Sequence, residues 1–77
     1  MPYCKEALSR AIRAARTERG LSQEVLSGLA GTSRSNLAAI ESGDKIPRAD
    51  TLWRIAEALE LRPSELVRRA EALAARP

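Results

Sequence analysis

Apolar residues recur along this chain at helical spacing, and Gly, Pro and Ser separate the runs. Leu8, Ala11, Ile12 and Ala15 lie three and four apart, which puts them on one side of an α-helix. The stripe predicts a first helix from about Lys5 to Arg19. Gly20 stops it as a left-handed cap, with Leu21 folding back onto the last turn. A second helix begins after Ser22, a good N-cap, and Glu24 suits the positive end of its dipole. Val25, Leu26 and Leu29 are its predicted apolar contacts. Gly28, which costs roughly 1 kcal/mol relative to Ala inside a helix, marks close packing or a frayed end. Gly31 permits a sharp turn. A third helix follows a cap at Ser33, with Leu37 and Ile40 inward and Arg34, Ser35, Ala38 and Ala39 outward. Gly43 ends it, and Asp44-Lys45-Ile46-Pro47 is a loop. A fourth helix is predicted from a cap at Asp50, burying Leu52, Ile55, Ala56 and Leu59. A fifth opens at Pro63, a residue favoured at the first helical position, and frays near Ala75. Leu66, Val67, Ala70, Leu73 and Ala74 form its apolar side. With no strand-like alternation, repeat or low-complexity linker, the reading is all-α: a compact five-helix bundle.

The composition agrees. The 77 residues fit one domain, taken as 1–77. A chain of this size buries roughly 60% of the surface it exposes when unfolded, so a dimer contact would add useful stability. Tyr3 and Trp53 are the only aromatics, so the core must be built from Leu, Ile, Val and Ala. The net charge is +3 and the sequence pI about 9.8. That balance fits either an anionic partner such as nucleic acid or a solvated surface with a mild basic excess. All basic residues but Lys5 and Lys45 are Arg, whose fork reads phosphate and guanine as Lys cannot.

Enzymatic chemistry is poorly supplied. There is no His, Cys4 has no neighbouring base, and no cluster has metal-ligand spacing, so neither catalytic residues nor a metal or cofactor is expected. The single Cys forbids an internal disulfide and fits a reducing cytoplasm. The start lacks an apolar signal region, and charges interrupt every apolar run. Neither secretion nor a membrane partner is expected.

The middle of the chain reads Arg19-Gly20-Leu21-Ser22-Gln23-Glu24-Val25-Leu26, then Ala30-Gly31-Thr32-Ser33-Arg34-Ser35-Asn36-Leu37, then Ile40-Glu41-Ser42-Gly43. These runs, at this separation around Gly31, resemble the lambda-repressor-like (XRE-type) helix-turn-helix family. The likeness spans about Leu8 to Leu66, and Thr51-Leu52 with Ile55-Ala56-Glu57-Ala58-Leu59 resembles the family's fourth helix. It implies a DNA-binding domain on double-stranded DNA. The physical logic stands beside it. Two short helices joined by a tight turn pack steeply, so the second enters a major groove about 12 Å wide while the first crosses the backbone. Small residues must sit at the crossing, and Ser27, Ala30 and Gly31 fit.

The resemblance implies a phosphate contact by Gln23; an exposed helix residue is the plainer alternative. Ser33 is a cap and a phosphate neighbour, or a cap alone. Arg34 and Ser35 open the recognition helix. Arg34 makes either a bidentate guanine contact, worth roughly 1–3 kcal/mol of discrimination, or a phosphate contact without sequence content. Ala38 and Ala39 lie further along the groove side, where the family often places longer polar residues. They offer only close approach or a thymine-methyl contact, so part of the specificity would come from DNA shape. Asn36, Ser42, Lys45 and Arg48 bracket this helix as phosphate candidates or solvated residues. Arg16 and Glu41 occupy positions that commonly pair in the family, tying helix one to the end of helix three.

Trp53 lies off the inward face of helix four, and helix five (about 63–75) carries a broad apolar arc. A twofold homodimer is expected there, with Trp53, Leu66, Ala70 and Leu73 at the interface; packing within one subunit is the alternative. Each subunit would place Ser33–Glu41 in successive major grooves, about 34 Å apart. The function expected is sequence-specific transcriptional regulation at a (pseudo)palindromic operator. A different class remains beside it: a protein-interaction module on the same fold, with an unidentified partner, that has lost DNA binding.

Overall fold

The signals that end and begin helices here are local ones, and the computed structural model, which describes residues 4–75, shows them at work. Its elements are α1 (Lys5–Glu18), α2 (Gln23–Leu29), α3 (Arg34–Glu41), α4 (Ala49–Ala58) and α5 (Pro63–Ala74). No strand occurs among the described residues, so the fold is the all-α five-helix bundle expected.

α2 ends where Gly31 turns to φ +68°. Gly31 N donates to Gly28 O at 3.2 Å and Thr32 N reaches back to Ser27 O at 2.9 Å. Both bonds satisfy carbonyls that a helix end leaves open, and the left-handed residue between them is most readily glycine. Gly20 closes α1 with the same pair of bonds. α4 also ends this way, but its left-handed residue is Glu60 at φ +59°, with Leu61 N donating to Ala56 O at 2.9 Å. A side chain in this conformation costs about 1–2 kcal/mol. The Glu60 carboxylate pairs with Arg19 beside the end of α1.

Ile12, Leu26, Leu37, Ile40, Ile55, Leu59 and Leu66 are fully buried, and all five helices contribute to this aliphatic core. Burial of each such side chain stabilises by about 1.5–3 kcal/mol. α5 lies along α1, while α2 and α3 pack together against α4 and α1. The core thus holds α3 from behind and leaves its opposite side open.

Several expectations change. Of the α2 residues expected to make apolar contacts, only Leu26 is buried; Val25 and Leu29 are 49% and 63% exposed. The buried side of α2 runs through Leu26, Ser27 and Ala30, about 100° round the helix from Val25 and Leu29. Gly28 does not mark close packing, since a Cβ built on it meets nothing within 4 Å; it lies in the last turn of α2, where its carbonyl accepts from Gly31 N. α4 starts at Ala49 rather than after Asp50, and its N-cap Arg48 makes no side-chain cap bond. Asp50 sits in the first turn, where its Oδ1 accepts from Thr51 N at 2.9 Å.

The residues expected at a dimer interface also divide. Leu66 is fully buried within the chain and Ala70 is also buried, because α5 turns that side onto α1 and the core. Leu73 is half-buried against the same core. On α4 and α5 the large apolar residues left exposed are Trp53 and Val67, which face a common groove.

Candidate nucleic-acid interface

Ser22 and Ser33 start the two central helices. Ser22 Oγ accepts from Val25 N at 3.1 Å and Ser33 Oγ accepts from Asn36 N at 3.0 Å, each satisfying one of the free donors of a helix N-terminus. Leu37 and Ile40 anchor α3 in the core. Arg34 and Ser35 consequently stand exposed at its first turn, while Ala38 and Ala39 are half-buried.

Asn36 does not reach outward. Its Nδ2 donates to Thr32 Oγ1 at 2.8 Å across the turn, and its Oδ1 is buried without a partner. The amide therefore braces the turn, which replaces its reading as a phosphate contact.

The far end of α3 is tied to α1 and α2 through Glu41. Its Oε2 accepts from Arg16 Nε at 2.7 Å, and its Oε1 accepts from Arg16 Nη2 at 2.9 Å and from Gln23 Nε2 at 3.1 Å. Arg16 Nη1 also donates to Leu21 O at 2.8 Å. The two charged side chains are 12% and 3% exposed, so the pair is largely out of water. Hydrogen bonding to Glu41 raises the Arg16 guanidinium pKa above its ordinary value; burial opposes that shift and the carboxylate charge adds to it. Gln23 is thus half-buried and oriented by Glu41 rather than freely exposed.

Ser42 is exposed after α3, with Oγ 3.0 Å from both Ala39 O and Asp44 Oδ2. Lys45 and Arg48 are exposed in and after the following loop; Arg48 Nε lies 3.6 Å from Asp50 Oδ1. Gln23, Ala38 and Ser42 meet around a shallow pocket of about 220 Å³, together with Arg16, Glu41 and Arg13. Arg34 and Ser35 are not part of that cluster.

Two residues escaped the sequence reading. Arg54 of α4 donates from Nε to Ala30 O at 3.0 Å, holding the C-terminal end of α2 just before the turn. Arg13 of α1 stands at the pocket beside α3. Neither has a local sequence signal, because each meets its neighbours through the tertiary fold.

A family model described as Helix-turn-helix, HTH_3, matches residues 12–66. The chain belongs to the HTH_3 helix-turn-helix family. This XRE-type family is one of DNA-binding transcription regulators. The restriction-modification controller protein C.AhdI from Aeromonas hydrophila is 34% identical over 80% of this chain and 94% of its own, with a TM-score of 0.78. The clp gene regulator ClgR from Corynebacterium glutamicum is 26% identical over 96% and 79%, with a TM-score of 0.90. An HTH_3 family transcriptional regulator from Vibrio cholerae is 32% identical over 92% of this chain but only 40% of its own, with a TM-score of 0.79. No curated protein matches the sequence.

Proposed function

We propose that this HTH_3 protein is a sequence-specific transcriptional regulator that binds a (pseudo)palindromic operator as a homodimer. The observation that carries the reading is the exposure of Arg34 and Ser35 at the first turn of α3, whose opposite side is locked into the core by Leu37 and Ile40. Such a helix enters a major groove with its N-terminal residues at the base edges. Arg34 reads guanine, Ser35 assists, and Ala38 and Ala39 offer close approach to a thymine methyl. Gln23, Ser33, Ser42, Lys45 and Arg48 serve the phosphates. The base-reading set is small, so DNA deformability supplies part of the specificity. No catalytic step enters this reading, and a DNA partner implies a cytoplasmic location. No helix among the described residues is long and apolar enough to cross a membrane.

The homodimer is supported by the groove between α4 and α5, about 850 Å³, lined by Leu52, Trp53, Pro63 and Val67 with Arg68 and Glu71 beside them. A twofold contact buries Trp53 and Val67 and gives Arg68 and Glu71 partners of opposite sign. Trp53 and Val67 therefore replace Leu66 and Ala70 as its centre.

The test is selection of bound duplexes from a random pool, followed by mobility-shift titration. Arg34→Ala is expected to lose about 1–3 kcal/mol of discrimination at one guanine position and keep its thermal midpoint. Unchanged preference refutes base reading by Arg34. A second reading, a protein-interaction module, is favoured by exposed Val25 and Leu29 on α2. Failure to shift any duplex at micromolar protein and low salt selects it.

A further inference from the structure

We infer that Arg13 of α1 is a DNA-contacting residue that supplies a phosphodiester contact beside the recognition helix. The inference rests on the DNA-binding reading above and extends it to an element outside the helix-turn-helix. No Lys or Arg follows Arg34 along α3 until Lys45 in the loop beyond it. The middle and far end of α3 therefore bring no cation of their own to the duplex.

Arg13 stands one turn before Arg16 and shares its side of α1. The two guanidinium groups have different surroundings. Arg16 is bound on both edges by Glu41 and Leu21 O. Arg13 is exposed and makes no side-chain hydrogen bond or ion pair among the described residues. It lines the pocket formed with Gln23, Ala38 and Ser42. The carboxylate in the pocket wall is already neutralised, since Glu41 accepts from Arg16 twice and from Gln23 once. Among the lining residues one unit of positive charge remains, and it belongs to Arg13; the Asp44 carboxylate lies beyond the lining, on the far side of Ser42 Oγ. A singly charged phosphodiester with oxygens to accept from Arg13 and from the Gln23 Nε2 hydrogen not given to Glu41 matches both the charge and the donors of the lining.

The experiment measures binding of one selected duplex across a range of salt for the wild type, Arg13→Gln, Arg13→Lys and Lys5→Gln. Lys5 is exposed on the same helix, about 12 Å back along its axis, and its removal takes away the same charge. Loss of one phosphate contact lowers the slope of log K against log salt by about 0.9, which is roughly 8-fold in affinity at 0.1 M salt. Arg13→Gln is expected to show both with an unchanged thermal midpoint. Arg13→Lys and Lys5→Gln should keep the wild-type slope. A wild-type slope for Arg13→Gln overturns the inference. So does an equal loss for Lys5→Gln, which makes the effect one of net charge, or a loss of slope in Arg13→Lys. If the wild type itself binds no duplex, the DNA-binding reading fails first, a result visible before any variant is compared.

Discussion

Glu41 lies where α1, α2 and α3 converge, and its removal tests how α3 is held. Glu41→Ala deletes the acceptor of three hydrogen bonds, two from Arg16 and one from Gln23. It also leaves the Arg16 guanidinium, 12% exposed, without its counter-charge. An exposed ion pair contributes ~0–1 kcal/mol, but breaking a buried one by removing a single partner costs about 3–5 kcal/mol. Arg16 keeps its bond to Leu21 O and is not wholly sealed from water. The lower end, about 3 kcal/mol, is therefore the appropriate estimate. Proteins of this length have a total stability of about 4–12 kcal/mol, so the loss is a large fraction. It corresponds to a fall of roughly 12–24 °C in thermal midpoint. Urea and thermal unfolding followed by far-ultraviolet circular dichroism measure it. The double variant Arg16→Met with Glu41→Leu separates a broken pair from general damage, because it removes both charges and keeps apolar volume. It should be clearly more stable than the summed losses of Arg16→Met and Glu41→Leu measured singly imply. Single losses below about 1 kcal/mol that simply add would refute a buried, coupled pair. The Arg16 contribution itself should not vary across neutral pH. Its folded-state pKa is raised, so the stabilisation is present below the unfolded value and is lost only as pH rises through strong alkali.

The α4–α5 groove proposed for dimerisation and α2 provide two further tests. Val67→Asp places a charge on the exposed side of α5, 41% accessible in the single subunit, so the fold should persist while sedimentation shows monomers and operator affinity falls. A dimer that survives this change shows that the α4–α5 groove is not the contact. Gly28→Ala should stabilise by up to about 1 kcal/mol, since its backbone is helical and the added methyl meets open space; a destabilised variant in urea titration would contradict that account.

The helices were legible because their causes lie within a few residues. The Leu8–Ala15 stripe, the Ser22 and Ser33 caps, and Pro63 at the head of α5 all act over one or two turns. Glu60 marks the limit of such cues. It adopts the left-handed conformation that Gly20, Gly31 and Gly43 adopt, and a glutamate gives no hint of that. Asp50 reads as the cap of the fourth helix yet lies in its first turn, because acidic residues suit both positions. Backbone geometry placed the cap at Arg48.

The sequence by itself determined the all-α class, the order of the helices and the exposure of Arg34 and Ser35. Those properties follow from spacing and from caps. It brought Arg16 and Glu41 together only through resemblance, since a separation of 25 positions carries no periodic signal. Tertiary structure alone decided which side of the seven-residue α2 is buried, because apolar residues lie on more than one side of it. It also turned Asn36 into the turn, bound Gln23 to Glu41, set Arg54 on Ala30 O and brought Arg13 beside Ala38. The last three depend on where a distant backbone comes to rest, and that is settled only when the whole core packs; the Asn36 bond spans only four positions.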